Sequence, residues 1–403
     1  MVEVGLLEKV TVIEAQLKSV KSLLAGHESD KLAAARLELL ELANNLEYAA
    51  LGPTEWLKAS FAVTKYDHLA YYTLSQFPIH EHIPLTGSIS YEALSEASGM
   101  PLGPLKRVVR HLMLNHLFME PTPGQIAHSE ASRILVTEPG MTSWLGHNYD
   151  EVFRSFGLFP EALKRGSSGG VADDGHPGKT ATALAFDQPR GFFGGLLAQE
   201  AWRAKRFAGA MHAMTRGSHD HSYLASGYDW EQYGGGLVVD VGGSSGFQSI
   251  AIATAHPDLH FVVQDIEDLG SKLEEHVSAL SQRPKISFQV HDFFKPNPET
   301  SADVYFLRHI IHDWSDSYAS KILRNIATVM KPTAKIVVMD IVVPEKGVLP
   351  FMDLQMMVVV NGKERTRQEW DELLALADPR LKIVSVKQPQ YSVASIIEIG
   401  LVD

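Results

Sequence analysis

A strand of buried-type residues runs straight into glycine at Val238-Val239-Asp240-Val241-Gly242-Gly243-Ser244-Ser245-Gly246, and it sets the architecture of the second half of the chain. After the turn a helical pattern starts at about Phe247. Glycine lets a backbone approach a ligand closely, and the first turn of a helix presents free N–H groups. Further strand-like runs follow at 261–264, 287–290, 304–307 and 335–340, most of them separated by helical segments. That rhythm predicts an open α/β sheet. The dinucleotide fingerprint needs Gly at i, i+2 and i+5. Counted back from Gly246 its first position falls on Val241, so the usual NAD turn fails here. A tight strand–helix turn without a ligand is the plain alternative.

Upstream the pattern is helical. Leu6, Val10, Ile13, Leu17, Val20 and Leu24 recur at three or four, and after a polar break at Gly26-His27-Glu28-Ser29-Asp30 the series resumes with Leu32, Leu39, Leu40, Ala43 and Leu46. Two helices with apolar faces need a partner surface, either their own chain or a second copy of it. Residues 53–138 read as helices followed by a short hairpin. Ser90 caps 91–98, Gly99 stops that helix, and Pro101 and Pro104 occupy the next turn. Leu105, Val108, Val109, Leu112 and Met113 form another stripe, and 118–128 has turn residues between two short apolar pieces. Helix, turn, helix, hairpin is a winged-helix pattern. Residues 139–225 are helical and loop-rich, with a surface loop at 165–179. The expected organisation is a helical arm over 1–50, a winged-helix-like domain over 51–138, a helical segment over 139–225 and an α/β domain over 226–403.

Charge and composition exclude whole classes. The 403 residues carry 36 Lys plus Arg against 48 Asp plus Glu, a net charge of −12, which argues against nucleic acid or anionic membrane as the main partner. With no Cys, disulfides, thiolate metal sites and cysteine nucleophiles are ruled out. No apolar run is long enough to span a membrane and the N-terminus lacks a basic leader, so the expectation is a soluble cytoplasmic protein. A winged helix also raises a DNA-binding regulator as an alternative. Residues 53–136 hold six Lys/Arg and seven Asp/Glu, though, and phosphate binding usually needs more positive charge.

The residues that carry chemistry lie at the ends of the strand-like runs. Asp265 stands 19 positions after Gly246, where an acid can accept both hydroxyls of a ribose. His291-Asp292-Phe293-Phe294 places a carboxylate beside aromatics suited to stacking on a base. Arg308 closes the fourth run, and His312-Asp313-Trp314 lies just beyond, at the edge where open sheets bind ligands. His is the side chain best suited to general-base work near neutral pH. His80, His82 and the His219-Asp220-His221 group read as surface residues, and no metal site is expected.

Taken in order, Gly242-Gly243-x-x-Gly246, Asp265, His291–Phe294, Arg308-x-x-x-His312-Asp313-Trp314 and Asn361-Gly-Lys-Glu364-Arg-Thr366 resemble the plant caffeate/flavonoid-type O-methyltransferases, and most closely their fungal natural-product branch. The resemblance implies a Rossmann-like methyltransferase domain behind an N-terminal winged-helix domain that forms a homodimer. It implies S-adenosylmethionine as cofactor, with Gly242, Gly243 and Gly246 at its methionyl part, Asp265 at the ribose, Asp292 and Phe293 at the adenine, and Arg308 nearby at the family's Lys position. It makes His312 the catalytic base, with Asp340 and Glu364 as its acidic partners. Asn148 matches a pocket-facing family position, and Met352 and Met356 lie where a small-molecule pocket can be lined; ordinary core packing is the other reading of those methionines. The implied activity is methylation of an aromatic or enolic hydroxyl. A relative that keeps fold and cofactor but catalyses dehydration or pericyclic rearrangement is the rival. Two departures stand out: Ser244 replaces a third consecutive Gly, and Asp340 is one methylene shorter than the family's usual Glu.

Overall fold

The computed structural model describes residues 2–25, 29–138, 140–166, 175–214, 220–344, 351–390 and 392–402. The chain divides into two compact units, Met1–Arg133 and Ile134–Asp403.

In the first unit, α1 (Val2–Ala25) lies along α2 (Ser29–Gln76) and buries Ile13 and Val20 against Leu42. Of the apolar series expected on α2, Leu39, Leu40 and Leu46 are exposed, so Leu42 carries the packing instead. Residue 50, the expected end of the arm, lies inside α2. The helical path breaks two residues later at Gly52, whose φ of 70° lies in the left-handed region just before Pro53. Then come β1 (Ile89–Ser90), α3 (Tyr91–Ser98), α4 (Leu102–Leu114), β2 (Met119–Thr122) and β3 (Gln125–Ala127), the strands forming a small antiparallel sheet in the order β1-β3-β2. The Ala93 N–H donates to the Ser90 hydroxyl, and Gly99 ends α3 at φ 69°. Pro104 lies in the first turn of α4, not in a loop, because a first-turn residue needs no N–H. The surface reading of His80 is wrong. It is 1 % exposed, and burial, with His128 and His82 nearby, pushes its pKa down to about 4.

α5 (Glu130–Thr137) leads into the second unit, which begins with α6 (Met141–Gly146), a π-helical stretch His147–Val152, α7 (Phe153–Lys164), α8 (Ala181–Phe186), a second π stretch Phe192–Leu197, α9 (Ala201–Met214) and α10 (Ser222–Gly227). Most of the expected 165–179 loop lies outside the described residues. An α/β layer follows: β4 (Leu237–Val241), α11 (Phe247–Ala255), β5 (His260–Asp265), α12 (Gly270–Ser278), β6 (Ile286–Val290), β7 (Val304–Arg308), α13 (Asp316–Ala327), β8 (Lys335–Asp340), β9 (Val342–Val343), α14 (Phe351–Val360), β10 (Arg365–Thr366), α15 (Arg367–Ala377), β11 (Leu381–Lys387) and β12 (Ser395–Leu401).

The seven-stranded sheet has the order β11-β12-β8-β7-β4-β5-β6. The strands from β8 to β6 are mutually parallel, while β12 and β11 add an antiparallel margin. The inner strands are apolar on both faces because helices cover both. Val239, Val241, Tyr305, Leu307, Ile336 and Val338 face one core with residues of α13 and α15. The alternating Val238, Val304, Phe306, Val337 and Met339 face the other, with residues of α10 and α11. The carboxyl ends of β4, β5, β6, β7 and β8 therefore open along one edge, and Gly242, Gly243, Gly246, Asp265, Asp292, Arg308, His312 and Asp340 lie on or just past it. Among the described residues, no helix is long and apolar enough to cross a membrane.

Candidate active site

The glycine turn is stitched to the neighbouring strand. The N–H groups of Gly242 and Gly243 both donate to the Gln264 carbonyl, at 2.8 and 2.9 Å. A Cβ on Gly242 would meet Ile310 Cδ1 at 2.7 Å, one on Gly243 the Asp240 carboxylate at 2.5 Å, and one on Gly246 Leu273 Cδ1 at 2.6 Å. Gly242 and Gly246 also hold φ at 77° and 79°, the left-handed region that favours glycine, while Gly243 is held to glycine by the buried Asp240 carboxylate that Ser249 fixes in place. Ser244, the departure from a third glycine, adopts the left-handed region at φ 50°. Its N–H donates to Asp265 Oδ2 at 2.9 Å, while Asp265 Oδ1 accepts the Ile266 N–H at 2.8 Å. Asp265 is therefore locked to the turn, and burial raises its pKa despite these donors.

Phe293 lies beside the turn, with Cε1 3.7 Å from where a Gly242 Cβ would stand. Its ring meets Phe294 at 4.9 Å and Trp314 at 5.7 Å, both edge-on. Asp292 Oδ1 accepts the Phe294 N–H at 3.0 Å, which fixes the start of that loop. Across the edge, Arg308 ends β7. Burial pulls its pKa down to about 10 while Asp240, Asp340 and Asp220 oppose the fall. An acid at the end of β5, aromatics after β6, and a helix start with no side-chain cap at α11 make a set that fits a nucleoside with an anionic tail.

Asp240 shows what this edge costs. Its carboxylate accepts the Ser249 hydroxyl at 2.6 Å, yet burial raises its pKa from 3.8 to about 7. Its contribution to stability is complete below the unfolded pKa near 3.8 and is lost as pH rises through about 7, where a charge must stay buried. Asp240→Asn is accordingly expected to match the native protein at or below about pH 3.8. At pH 8 it should be more stable by about 1–2 kcal/mol, part of the gain being offset by a weaker bond from Ser249. Urea unfolding at the two pH values checks this, and equal differences at both would contradict the assignment.

His312 occupies a single turn, Ile311–Asp313, immediately past β7. A distant segment clamps that turn. Lys363 N–H donates to the His312 carbonyl at 2.9 Å, and the buried Arg365 guanidinium donates to the carbonyls of Ile311 at 3.2 Å and Trp314 at 2.8 Å. Gly362 must be glycine, because a Cβ there would collide with the His312 carbonyl oxygen. The same clamp delivers Glu364, which accepts the His312 Nδ1–H at 2.8 Å and is itself placed by its N–H donating to Asp353 Oδ1 at 2.9 Å. Asp340 does something different. Its Oδ2 accepts the backbone N–H of His312 at 3.2 Å, and its Oδ1 lies 3.8 Å from His309 Nδ1. Asp313 Oδ1 stands 3.7 Å from His312 Nε2.

Burial opposes a charge on His312, but Asp340, Glu364 and Asp313 together overcome it and raise the ring to about 10. Burial raises Asp340 to about 7 and Asp313 to about 6, against the pull of His312. Three buried carboxylates crowd around one imidazole, and the group holds on to protons. The sequence names Asp313 only as part of the motif that holds His312, and gives no role to His309, Asp353 or Arg365. The adjacency of Asp313 to His312 was the available signal for that acid; the others are brought in by the fold.

Met352 and Met356 are buried with Val152, Phe192, Leu196 and Ile341. Phe193 lies 6.3 Å from Trp314 and 5.2 Å from Phe192, so an aromatic row leads from Phe293 into the helical layer. Asn148 donates its Nδ2–H to the Trp144 carbonyl at 2.9 Å, within its own helical turn. Beneath the row, Asp150 and Glu151 are ion-paired with Arg203 and Arg206, fastening the first π stretch to α9. His221, read as a surface residue, is partly buried and bonded to Gln248 at 2.8 Å; His219 lies outside the described residues.

A family model described as an O-methyltransferase domain matches residues 210–378. O-methyltransferase aurJ of Gibberella zeae is 35% identical over 403 residues, spanning 94% of this chain and 88% of its own. The chlorophenol O-methyltransferase of Trichoderma longibrachiatum is 35% identical over 387 residues, covering 92% and 80%. Among solved structures, OxaC in complex with SAH and oxaline matches over 100% of both chains with a TM-score of 0.84 at 24% identity, a likeness of fold.

Proposed function

The chain belongs to the S-adenosylmethionine-dependent O-methyltransferases of fungal natural-product chemistry, and on that premise we propose that His312 is the base that deprotonates the acceptor hydroxyl. The enzyme transfers a methyl group from S-adenosylmethionine to an oxygen of a small natural product. We assign the methionyl part of the cofactor to the turn Gly242, Gly243 and Gly246, the ribose to Asp265, the adenine to Asp292 and Phe293, and proximity to Arg308. Bound there, the cofactor supplies an electrophilic methyl group and a positive charge that opposes protonation of His312. Methyl transfer is an in-line displacement that needs alignment and an ionised acceptor oxygen, with no acid at the methyl group. Glu364 holds the His312 ring by Nδ1, so that Nε2 receives the acceptor proton, and the imidazolium formed faces three carboxylates. Asp340 keeps the turn in place through the backbone N–H of His312.

The acceptor is an aromatic or enolic hydroxyl. The aromatic row Phe192, Phe193 and Trp314, backed by Met352 and Met356, favours a flat apolar ring and sheds water from the reacting oxygen. One of the relatives is named for a chlorophenol, an aromatic hydroxyl compound. Asn148 is assigned to the rim of this pocket. The observation that carries the reading is the His312–Glu364 bond at the carboxyl end of β7, beside the glycine turn. Incubation with a panel of phenols and enols and isotope-labelled methyl donor should give a labelled methyl ether by mass spectrometry. Consumption of acceptor without label would point instead to dehydration or rearrangement on the same fold.

We assign residues 51–138 to winged-helix-like dimerisation, 139–225 to the acceptor pocket and 226–403 to the cofactor, in a cytoplasmic homodimer. The exposed face of α2, with Leu40 at 67%, Phe61 at 74% and Leu69 at 58%, motivates a second copy as its cover. Light scattering is expected to give twice the 44.4 kDa chain mass at micromolar concentration, and a 44.4 kDa particle would refute the dimer.

A further inference from the structure

We propose that His309, His312 and Asp340 form a binding site for a divalent transition-metal ion of the zinc class. One donor atom from each of the three lies within 4.8 Å of the others. Asp340 is 1 % exposed, and its Oδ1 accepts no hydrogen bond; it points toward His309 Nδ1 at 3.8 Å. Two ligand atoms on one tetrahedral zinc stand about 3.4 Å apart, given bonds of about 2.0–2.1 Å. Closing that pair on an ion takes a few tenths of an ångström.

The chain is bent to bring these groups together. His309 follows β7 directly and holds φ at 53°, a region a His adopts only at some cost. Its ring stands 5.2 Å from that of His312, and a ring nitrogen of each lies within 4.8 Å of an Asp340 carboxylate oxygen. Glu364 engages His312 at Nδ1, the carboxylate–histidine arrangement that leaves Nε2 to a metal. Asp313, Asp340 and Glu364 all lie close to His312, and this concentration of carboxylates around one imidazole attracts a dication. Two imidazoles and one carboxylate suit zinc or cobalt, whereas magnesium and calcium favour all-oxygen sets.

An ion on Nε2 occupies the lone pair that takes the acceptor proton, so zinc should inhibit methylation competitively with the acceptor. That consequence rests on the base assignment; the site does not. The test uses full-length protein stripped with chelator and then dialysed. Zinc is titrated in competition with a chromophoric chelator, and cobalt(II) is followed by its visible absorption. One zinc per chain at micromolar affinity, weakened tenfold or more in His309→Gln, with metal-free methylation by that variant within about twofold of native, is expected. No stoichiometric zinc on the native protein, or equal affinity in His309→Gln, overturns the site, as does magnesium binding with the same affinity. Zinc that binds in a His309-dependent way yet leaves methylation untouched upholds the site and overturns the base assignment.

Discussion

Replacing His312 with alanine is expected to lower turnover by about 10²–10⁴, the usual worth of a positioned base, while the affinity for S-adenosylhomocysteine stays within about threefold. Both halves follow from geometry. His312 is nearly buried and past the end of β7, bonded to Glu364, whereas the residues assigned to the cofactor are the glycine turn, Asp265, and the loop after β6. Steady-state methylation and calorimetry on the same preparation test the two halves together. Near-native turnover in the alanine variant would remove His312 from the chemistry. A parallel collapse of cofactor affinity would show that the turn at 311–313 supports binding instead.

The second large effect is expected from Glu364→Gln. Glutamine keeps the size of the side chain and an oxygen for the His312 Nδ1–H, so the ring stays in place, but the charge that stabilises the imidazolium is gone. Loss of a carboxylate supporting a working histidine costs about 10–100-fold in comparable settings. The loss should fall on kcat, with the acceptor KM little changed, because Glu364 is 4 % exposed and engages Nδ1, the ring nitrogen opposite the one assigned to the acceptor proton. A change in KM alone would assign Glu364 to acceptor binding.

The strands were legible because parallel strands buried on both faces leave long apolar runs. The expected run at 335–340 coincides with β8, and 304–307 lacks only Arg308. The terminal pair β11 and β12 escaped notice. β11 is an edge strand exposed over most of its length, and β12 is antiparallel in a sheet whose rhythm reads as strand and helix in turn. At the site, Asp265 and His312 could be found from their distance to the glycine turn and to Arg308. The division of labour between the two acids could not. That Glu364 takes the ring and Asp340 the backbone N–H depends on where a segment some fifty residues downstream docks, and no local pattern encodes that docking. His309 was passed over for the same reason, since a strand-end histidine becomes informative only once its left-handed backbone is seen.

The clamp on the 311–314 turn has a bearing on the order in which the enzyme becomes competent. A chain emerging during synthesis has, once β7 is complete, every side chain assigned to the cofactor. It has no oriented base until Gly362, Lys363, Glu364 and Arg365 arrive and close on His312. Contacts so distant in sequence must first offset the entropy of closing the intervening loop, so they trail the local ones. The residues assigned to the cofactor and those that orient the base are thus written in separate stretches of the chain, and the second depends on long-range closure as the first does not.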